Sequence, residues 1–110
     1  MPTAEDFASI DIRIGTILRA DPFPEAKKPA IRLLIDFGPD IGLKRSSAQI
    51  TVHYRPEELP GRQVAAVVNI GTRRIAGFVS EVLVLGALPQ PHEIILLAAD
   101  RAVPDGTRIG

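Results

Sequence analysis

Basic side chains are concentrated in the middle of this 110-residue chain. Residues 26–80 carry nine Lys and Arg side chains against four Asp and Glu side chains, although the whole chain has a formal net charge of zero. Arginine can donate two parallel hydrogen bonds to a phosphate group, and Ser and Asn side chains supplement such contacts. The candidate phosphate-binding residues are Lys44, Arg45, Ser46, Asn69, Arg73, Arg74 and Ser80, with Lys27, Lys28 and Arg32 flanking a predicted strand. The alternative is that these charges only solvate loop tips.

An apolar segment, Ile75–Val79, follows the two adjacent arginines. It is typical of a buried strand, but it also fits an apolar groove that receives an extended peptide or a partner subunit. The candidate peptide-binding residues are Ile75, Phe78 and Leu83. No predicted strand carries two aromatic residues at positions i and i+2, so the sequence does not predict a base-stacking platform.

The chemistry of catalysis has few candidates in this sequence. The chain has no Cys, and its two histidines, His53 and His92, lie far apart beside turn signals. Nucleophile-elbow, metal-binding His-pair and Walker-type phosphate-loop motifs are all missing. We therefore expect a binding protein and not an enzyme, with no catalytic residue, no metal and no cofactor. Because the longest apolar run has six residues and no secretory signal is visible, we expect a cytoplasmic protein without membrane insertion.

Local patterns predict short strands and very little helix. A capping box at Thr3 and Asp6 predicts a short helix whose Phe7 packs against the core. Ile10–Ile14 alternates as a half-buried strand, and Gly15 predicts a bulge or sharp bend. The other predicted strands are Ala30–Phe37, Ser46–Val52, Gln63–Asn69, Val79–Leu85 and Glu93–Ala99, with a helical turn over Arg55–Leu59. Phe37 is a predicted core residue, and Gln63–Asn69 is predicted to be buried on both faces.

This pattern favours an all-β fold in one domain that spans residues 1–110. At this length the most economical architecture is a five-stranded Greek-key barrel of the OB type with short terminal helix and strand extensions. Closing the sheet removes its exposed edges without a second layer of helices. A β-sandwich is the structural alternative.

Motifs along the whole chain resemble those of one known family. They are Phe7–Thr16, Phe23–Lys27, Ile35–Gly38, Ser46–Thr51, Val67–Asn69 and, longest of all, Arg73–Gly86. In this order and spacing the chain resembles the bacterial CsaA proteins, which are export-related chaperones. Those proteins are built on the tRNA-binding domain that also occurs in methionyl- and tyrosyl-tRNA synthetases.

The resemblance implies a homodimer that binds tRNA or unfolded preprotein segments and has a role linked to the protein-export machinery. Candidate dimer contacts are the N-terminal turn around Phe7 and the strand Ile94–Leu97. Asn69, Arg73, Arg74, Gly77 and Ser80 occupy positions that match the tRNA-binding pattern of the wider family. Leu83 stands where the wider family has Met, a departure that follows the CsaA branch.

Overall fold

The computed structural model describes all 110 residues and contains ten strands, one α-helix and one 3-10 turn. The helix α1 is Ala4–Ala8, and the 3-10 turn is Pro56–Glu58. The strands are β1 (Ile12–Pro22), β2 (Ile31–Asp36), β3 (Leu43–Ala48), β4 (Gln63–Val67), β5 (Arg73–Ile75), β6 (Phe78–Ser80), β7 (Leu83–Val84), β8 (Gly86–Gln90), β9 (Glu93–Leu96) and β10 (Arg108–Ile109). None of the helical segments is long and apolar enough to cross a membrane.

The long strand β1 organises the main sheet, in which the strand order is β3-β2-β1-β4-β7. Its first half, Ile12–Thr16, pairs with β4, and its second half, Thr16–Pro22, pairs with β2, so the sheet curls around β1. The outer edge of β3 then meets the segment between β6 and β7, where the Glu81 N–H donates to the Arg45 carbonyl oxygen at 2.8 Å. This contact nearly closes a five-stranded barrel, and the all-β OB-type prediction is confirmed.

The predicted bulge lies at a different residue. Gly15 pairs regularly with Val64, and the register shift in β1 falls between Ile17 and Arg19. A Cβ atom on Gly15 would lie 2.7 Å from both Ile35 Cγ2 and Phe37 Cδ1. The missing side chain therefore lets core groups approach the β1 backbone closely, which is the other common reason for Gly inside a strand.

The core of the barrel forms from alternating residues of β1 and β2 and from β4. Phe37 is 1% exposed, and all four residues from Val64 to Val67 are buried, so the predictions for these positions are confirmed. Phe7 is 48% exposed, and its predicted place in the core is wrong. The capping box of α1 does form, because the Thr3 and Asp6 side chains accept each other's backbone N–H groups. However, this five-residue helix buries none of its side chains.

All six predicted strands have different bounds in the structure. The predicted strand Ile10–Ile14 starts at Ile12 and continues to Pro22 as β1, and the predicted strand Gln63–Asn69 ends at Val67 as β4. The predicted strand Ala30–Phe37 is shorter by one residue at each end as β2. The predicted strand Ser46–Val52 begins and ends earlier in the structure, as β3. The tight connection between β2 and β3, in which Gly38 and Gly42 have positive φ, sets the start of β3. The predicted strand Val79–Leu85 is split into β6 and β7. The predicted strand Glu93–Ala99 ends at Leu96 as β9.

Strands β5 and β6 form a hairpin that local pattern did not predict. Their register pairs Arg73 with Ser80 and Ile75 with Phe78, which leaves Ala76 and Gly77 at the tip. Both tip residues have positive φ, 46° and 83°, as a type I′ turn requires. The hairpin carries five of the candidate binding residues: Arg73, Arg74, Ile75, Phe78 and Ser80.

Candidate nucleic-acid interface

Hydrogen bonds along one line close the barrel and attach the β5–β6 hairpin to it. We call this line the seam; it joins Arg45–Ser47 of β3 to Ser80–Val82. The Ser46 hydroxyl donates to the Val82 carbonyl oxygen at 3.1 Å, and the Ser47 N–H donates to Ser80 Oγ at 3.1 Å. Ser46 is 1% exposed and Ser80 is 8% exposed. These two candidate residues therefore serve the seam and not the protein surface.

A cavity of about 470 Å³ opens between the β1–β2 loop and the β5–β6 hairpin. We call it the basic cavity. Four cations line it together with two polar side chains; these residues are Lys27, Lys28, Arg73, Arg74, Ser47 and Gln49. None of the four cations lies within 4.0 Å of a carboxylate oxygen, since the five ion pairs of the protein involve other residues. The cavity therefore presents free positive charge to an anion.

Gln49 is the lining residue that the sequence reasoning missed. It lies directly after the end of β3, two positions beyond Ser47, and both residues line the basic cavity. The two-residue spacing between them is visible in the sequence. The predicted strand at Ser46–Val52 included Gln49 without giving it a role, because the neighbouring loop and hairpin that complete the cavity are distant in sequence.

A second cavity of about 230 Å³ adjoins the basic cavity and is half apolar. We call it the mixed cavity; its apolar lining residues are Ile70, Ile75, Val82 and Leu83. Ser47, Arg73 and Ile75 line both cavities. Two of the three candidate peptide-binding residues, Ile75 and Leu83, therefore lie together beside the arginines.

Phe78, the third candidate peptide-binding residue, lies on the outer face of the barrel and lines neither of these cavities. Its ring meets the buried Phe23 ring edge-on, with a centroid distance of 5.5 Å and an interplanar angle of 63°. Arg45 lies over Phe78 at 5.5 Å, and Arg32 lies over Phe23 at 5.3 Å. Arg45 also pairs with Glu81, Nε to Oε1, at 3.7 Å. Phe78 thus fastens the hairpin to the barrel face.

The Asn69 side chain anchors the N-terminal segment. Its Oδ1 accepts from the Asp11 N–H at 2.9 Å, and its Nδ2 donates to the Ser9 carbonyl oxygen at 2.8 Å. Beside it the Arg13 guanidinium donates to the Asp11 carboxylate at 2.6 Å, which lowers the pKa of Asp11 and raises the pKa of Arg13. The structure therefore does not bring Asn69 together with the cations of the basic cavity.

Lys44 and the histidines also lie outside the basic cavity. Lys44 pairs with Ile35 in the β2–β3 ladder and lines neither the basic nor the mixed cavity. His53 Nε2 lies 2.6 Å from Glu93 Oε1, a contact that joins the loop after β3 to β9. No group of three or more His, Cys, Asp or Glu side chains is arranged to hold a metal ion.

Comparison with known proteins gives two kinds of relatives. A family model described as a putative tRNA binding domain matches residues 12–108. The crystal structure of the chaperone CsaA from Bacillus anthracis has 53% sequence identity and a TM-score of 0.95, with coverage of 100% of this chain and 99% of that chain. The CsaA chaperone protein from Picrophilus torridus has 48% identity, full coverage of both chains and a TM-score of 0.92.

Longer proteins contain a similar region. The methionine–tRNA ligase of Porphyromonas gingivalis is 40% identical over 105 residues, which is 96% of this chain and 15% of that protein. This chain thus spans about 15% of the length of the curated relatives that it matches. The shared region corresponds to the barrel and its extensions.

The role of Ser46 in the seam can be tested by stability. We expect Ser46→Ala to lower the free energy of unfolding by about 1 kcal/mol, because the buried bond to Val82 is lost. Ser47→Ala is the matched control, since the Ser47 hydroxyl makes no hydrogen bond within the chain. Urea denaturation followed by circular dichroism measures both variants, and equal stability of the two would contradict the assignment.

Proposed function

Because the chain belongs to the family of tRNA-binding domains, we propose that it is a CsaA-like binding protein that holds tRNA at the basic cavity. The observation that carries this proposal is the gathering of Lys27, Lys28, Arg73 and Arg74 around one cavity without carboxylate partners. Unpaired cations of this kind contact phosphates, which supply most of the affinity for nucleic acid.

Recognition of this kind depends on shape more than on sequence. The formal net charge of the chain is zero, so its overall field does not attract every polyanion. The cations stand instead on two separate elements, the β1–β2 loop and the β5–β6 hairpin, which both line the cavity. Such an arrangement favours a folded RNA whose phosphates approach from two directions.

A second proposed ligand is unfolded polypeptide, including preprotein segments on their way to the export machinery. The mixed cavity supports this proposal, because Ile70 and Leu83 are 57% and 48% exposed there. Two solved structures similar to this chain are of proteins named as chaperones. An extended segment with alternate apolar side chains would place one of them in this cavity.

We further propose that two copies pair through the termini. Phe7 of α1, Ile10 and Leu97 all keep more than two fifths of their surface exposed. A two-fold axis through such a face would present two basic cavities to one RNA. Paired cavities would also give one polypeptide two points of attachment and thus a higher overall affinity.

We also propose that residues 1–110 act as one non-catalytic domain in the cytoplasm, where a tRNA partner is found. Detection of the protein in a membrane or extracellular fraction would argue against this location.

The tRNA proposal predicts a loss of affinity when the hairpin arginines are removed. Arg73→Ala combined with Arg74→Ala should weaken tRNA binding at least about tenfold, and it should flatten the log-affinity against log-salt slope by about 1.5. Filter binding at several salt concentrations measures both quantities. Arg55→Ala combined with Arg101→Ala is the control, since it removes the same charge outside the basic and mixed cavities. An equal loss of tRNA affinity in both double variants would contradict the proposal.

The polypeptide proposal predicts that polar substitutions in the mixed cavity weaken client binding. Ile70→Ser combined with Leu83→Ser should lower the affinity for a fluorescently labelled unfolded peptide at least about tenfold, because apolar contact area is lost. Fluorescence anisotropy measures this affinity. Leu43→Ser combined with Val52→Ser is the control, because these side chains are equally exposed but lie outside the cavity. Unchanged affinity in the Ile70 and Leu83 variant would contradict the proposal.

The dimer proposal predicts a species of twice the 11.9 kDa chain mass in sedimentation equilibrium. Phe7→Ser combined with Leu97→Ser should shift the protein towards the single-chain mass, since both side chains are exposed in the isolated chain and their loss removes apolar contact area only in the pair. The variant with Leu43→Ser and Val52→Ser should keep the mass of the unsubstituted protein. A single-chain mass for the unsubstituted protein at micromolar concentration would refute the pairing.

A further inference from the structure

We propose that the basic cavity binds one unpaired nucleotide of an RNA chain, with Gln49 as the residue that contacts the edge of its base. This inference rests on the proposed RNA-binding function and specifies the ligand of the same site. It assigns the phosphate group to the four cations and the base to the polar wall formed by Ser47 and Gln49.

The basic cavity has room for more than a phosphate group. Its volume of about 470 Å³ falls in the range of pockets that enclose small organic molecules, roughly 300–1,000 Å³. A phosphate group that only passes along a surface needs no such space. A base with its ribose would use the remaining volume beside the apolar lining residues Ala26, Ile75 and Ala76.

The cations come from two segments that are distant in sequence. Lys27 and Lys28 come from the β1–β2 loop, and Arg73 and Arg74 come from β5 of the hairpin. Glu25 is the one acidic residue of the lining, so the walls carry a surplus of three positive charges. A phosphate that contacts donors from both segments would be held in position more tightly than by one basic strand.

Gln49 differs from the four cations in its hydrogen-bonding groups. A glutamine amide contains both a donor and an acceptor, whereas Lys and Arg side chains only donate. The Gln49 amide makes no hydrogen bond within the chain, in contrast to the Gln63 amide, which bonds Val103 in both directions. A free donor and acceptor pair matches the edge of an unstacked base, which also offers both.

The two segments are held in place before any ligand binds. Phe23 lies four residues before Lys27, and Phe78 lies four residues after Arg74. Their rings meet edge-on, with a centroid distance of 5.5 Å, and so tie the lysine loop to the arginine hairpin. A cavity that is already formed loses less entropy on binding, and a single nucleotide is then enough to occupy it.

Nuclear magnetic resonance tests the inference directly, because the chain has only three glutamines, Gln49, Gln63 and Gln90. Their side-chain amide signals can be assigned by single substitution to Ala. We expect the Gln49 amide signal to move on titration with AMP, CMP, GMP or UMP at constant ionic strength. The Gln63 and Gln90 signals should stay fixed, and inorganic phosphate should leave all three in place.

Two variants separate the phosphate contact from the base contact. Lys27→Ala combined with Lys28→Ala should lower the affinity for all four nucleotides at least tenfold. Gln49→Ala should remove the discrimination among the four bases, so that the four dissociation constants fall within twofold of one another. A single-stranded trinucleotide should bind at least tenfold more tightly than AMP, because its flanking phosphates add contacts. Equal binding of AMP and the trinucleotide would identify a free nucleotide as the ligand and overturn the RNA assignment.

Binding of whole tRNA, measured on the same samples, separates this inference from the proposed function. If phosphate moves the Gln49 signal as much as the nucleotides do, or if no nucleotide moves it, the nucleotide pocket is refuted. Retention of tRNA by the unsubstituted protein in that case would leave the proposed function standing. Failure of the unsubstituted protein to bind tRNA would refute both.

Discussion

The seam between β3 and Ser80–Val82 is the constraint on which both the barrel and the binding surface depend. Without the bonds from Glu81 N–H to the Arg45 carbonyl oxygen and from Ser46 to Val82, the sheet would remain an open sheet with two free edges. Along the same line, Ser80 at the end of the β5–β6 hairpin contacts Ser47. A closed barrel therefore comes with a hairpin held over one of its walls, and the cavities form where the two meet.

The two proposed ligands use neighbouring parts of one surface. Ser47, Arg73 and Ile75 line both the basic cavity and the mixed cavity. An RNA chain that places a phosphate against Arg73 would lie close to the apolar lining of the mixed cavity, where a polypeptide is proposed to bind. The proposals for tRNA and polypeptide thus describe one surface whose polar side and apolar side share a border, and not two independent sites.

The sequence predicts the parts of the fold that depend on local burial. β2 and β4 follow from their apolar patterns, and the family motifs indicate the barrel. The sequence predicts a bulge or a sharp bend at Gly15, and no bulge lies there, because the space at that glycine is taken by Ile35 and Phe37, which are distant in sequence. Ser46 looks like any surface serine in the sequence, since its partner Val82 is brought near only by barrel closure. The cations of the cavity are visible in the sequence, but their gathering around one cavity is not, because it depends on tertiary contacts such as that between Phe23 and Phe78.

A chain without net charge can still carry a locally positive cavity, because five of its carboxylates form ion pairs outside that cavity. The carboxylates of Asp11, Asp21 and Glu81 each pair with an arginine outside the basic cavity. These pairs neutralise charge locally, and at separations beyond about 10 Å they are screened by physiological salt. The four cations of the basic cavity have no such partners within 4.0 Å, and Glu25 in the same lining offsets only part of their charge. The proposed preference for a phosphate at this place then follows from the surplus of three positive charges in the cavity lining, and the overall charge of the chain is a poor guide to it.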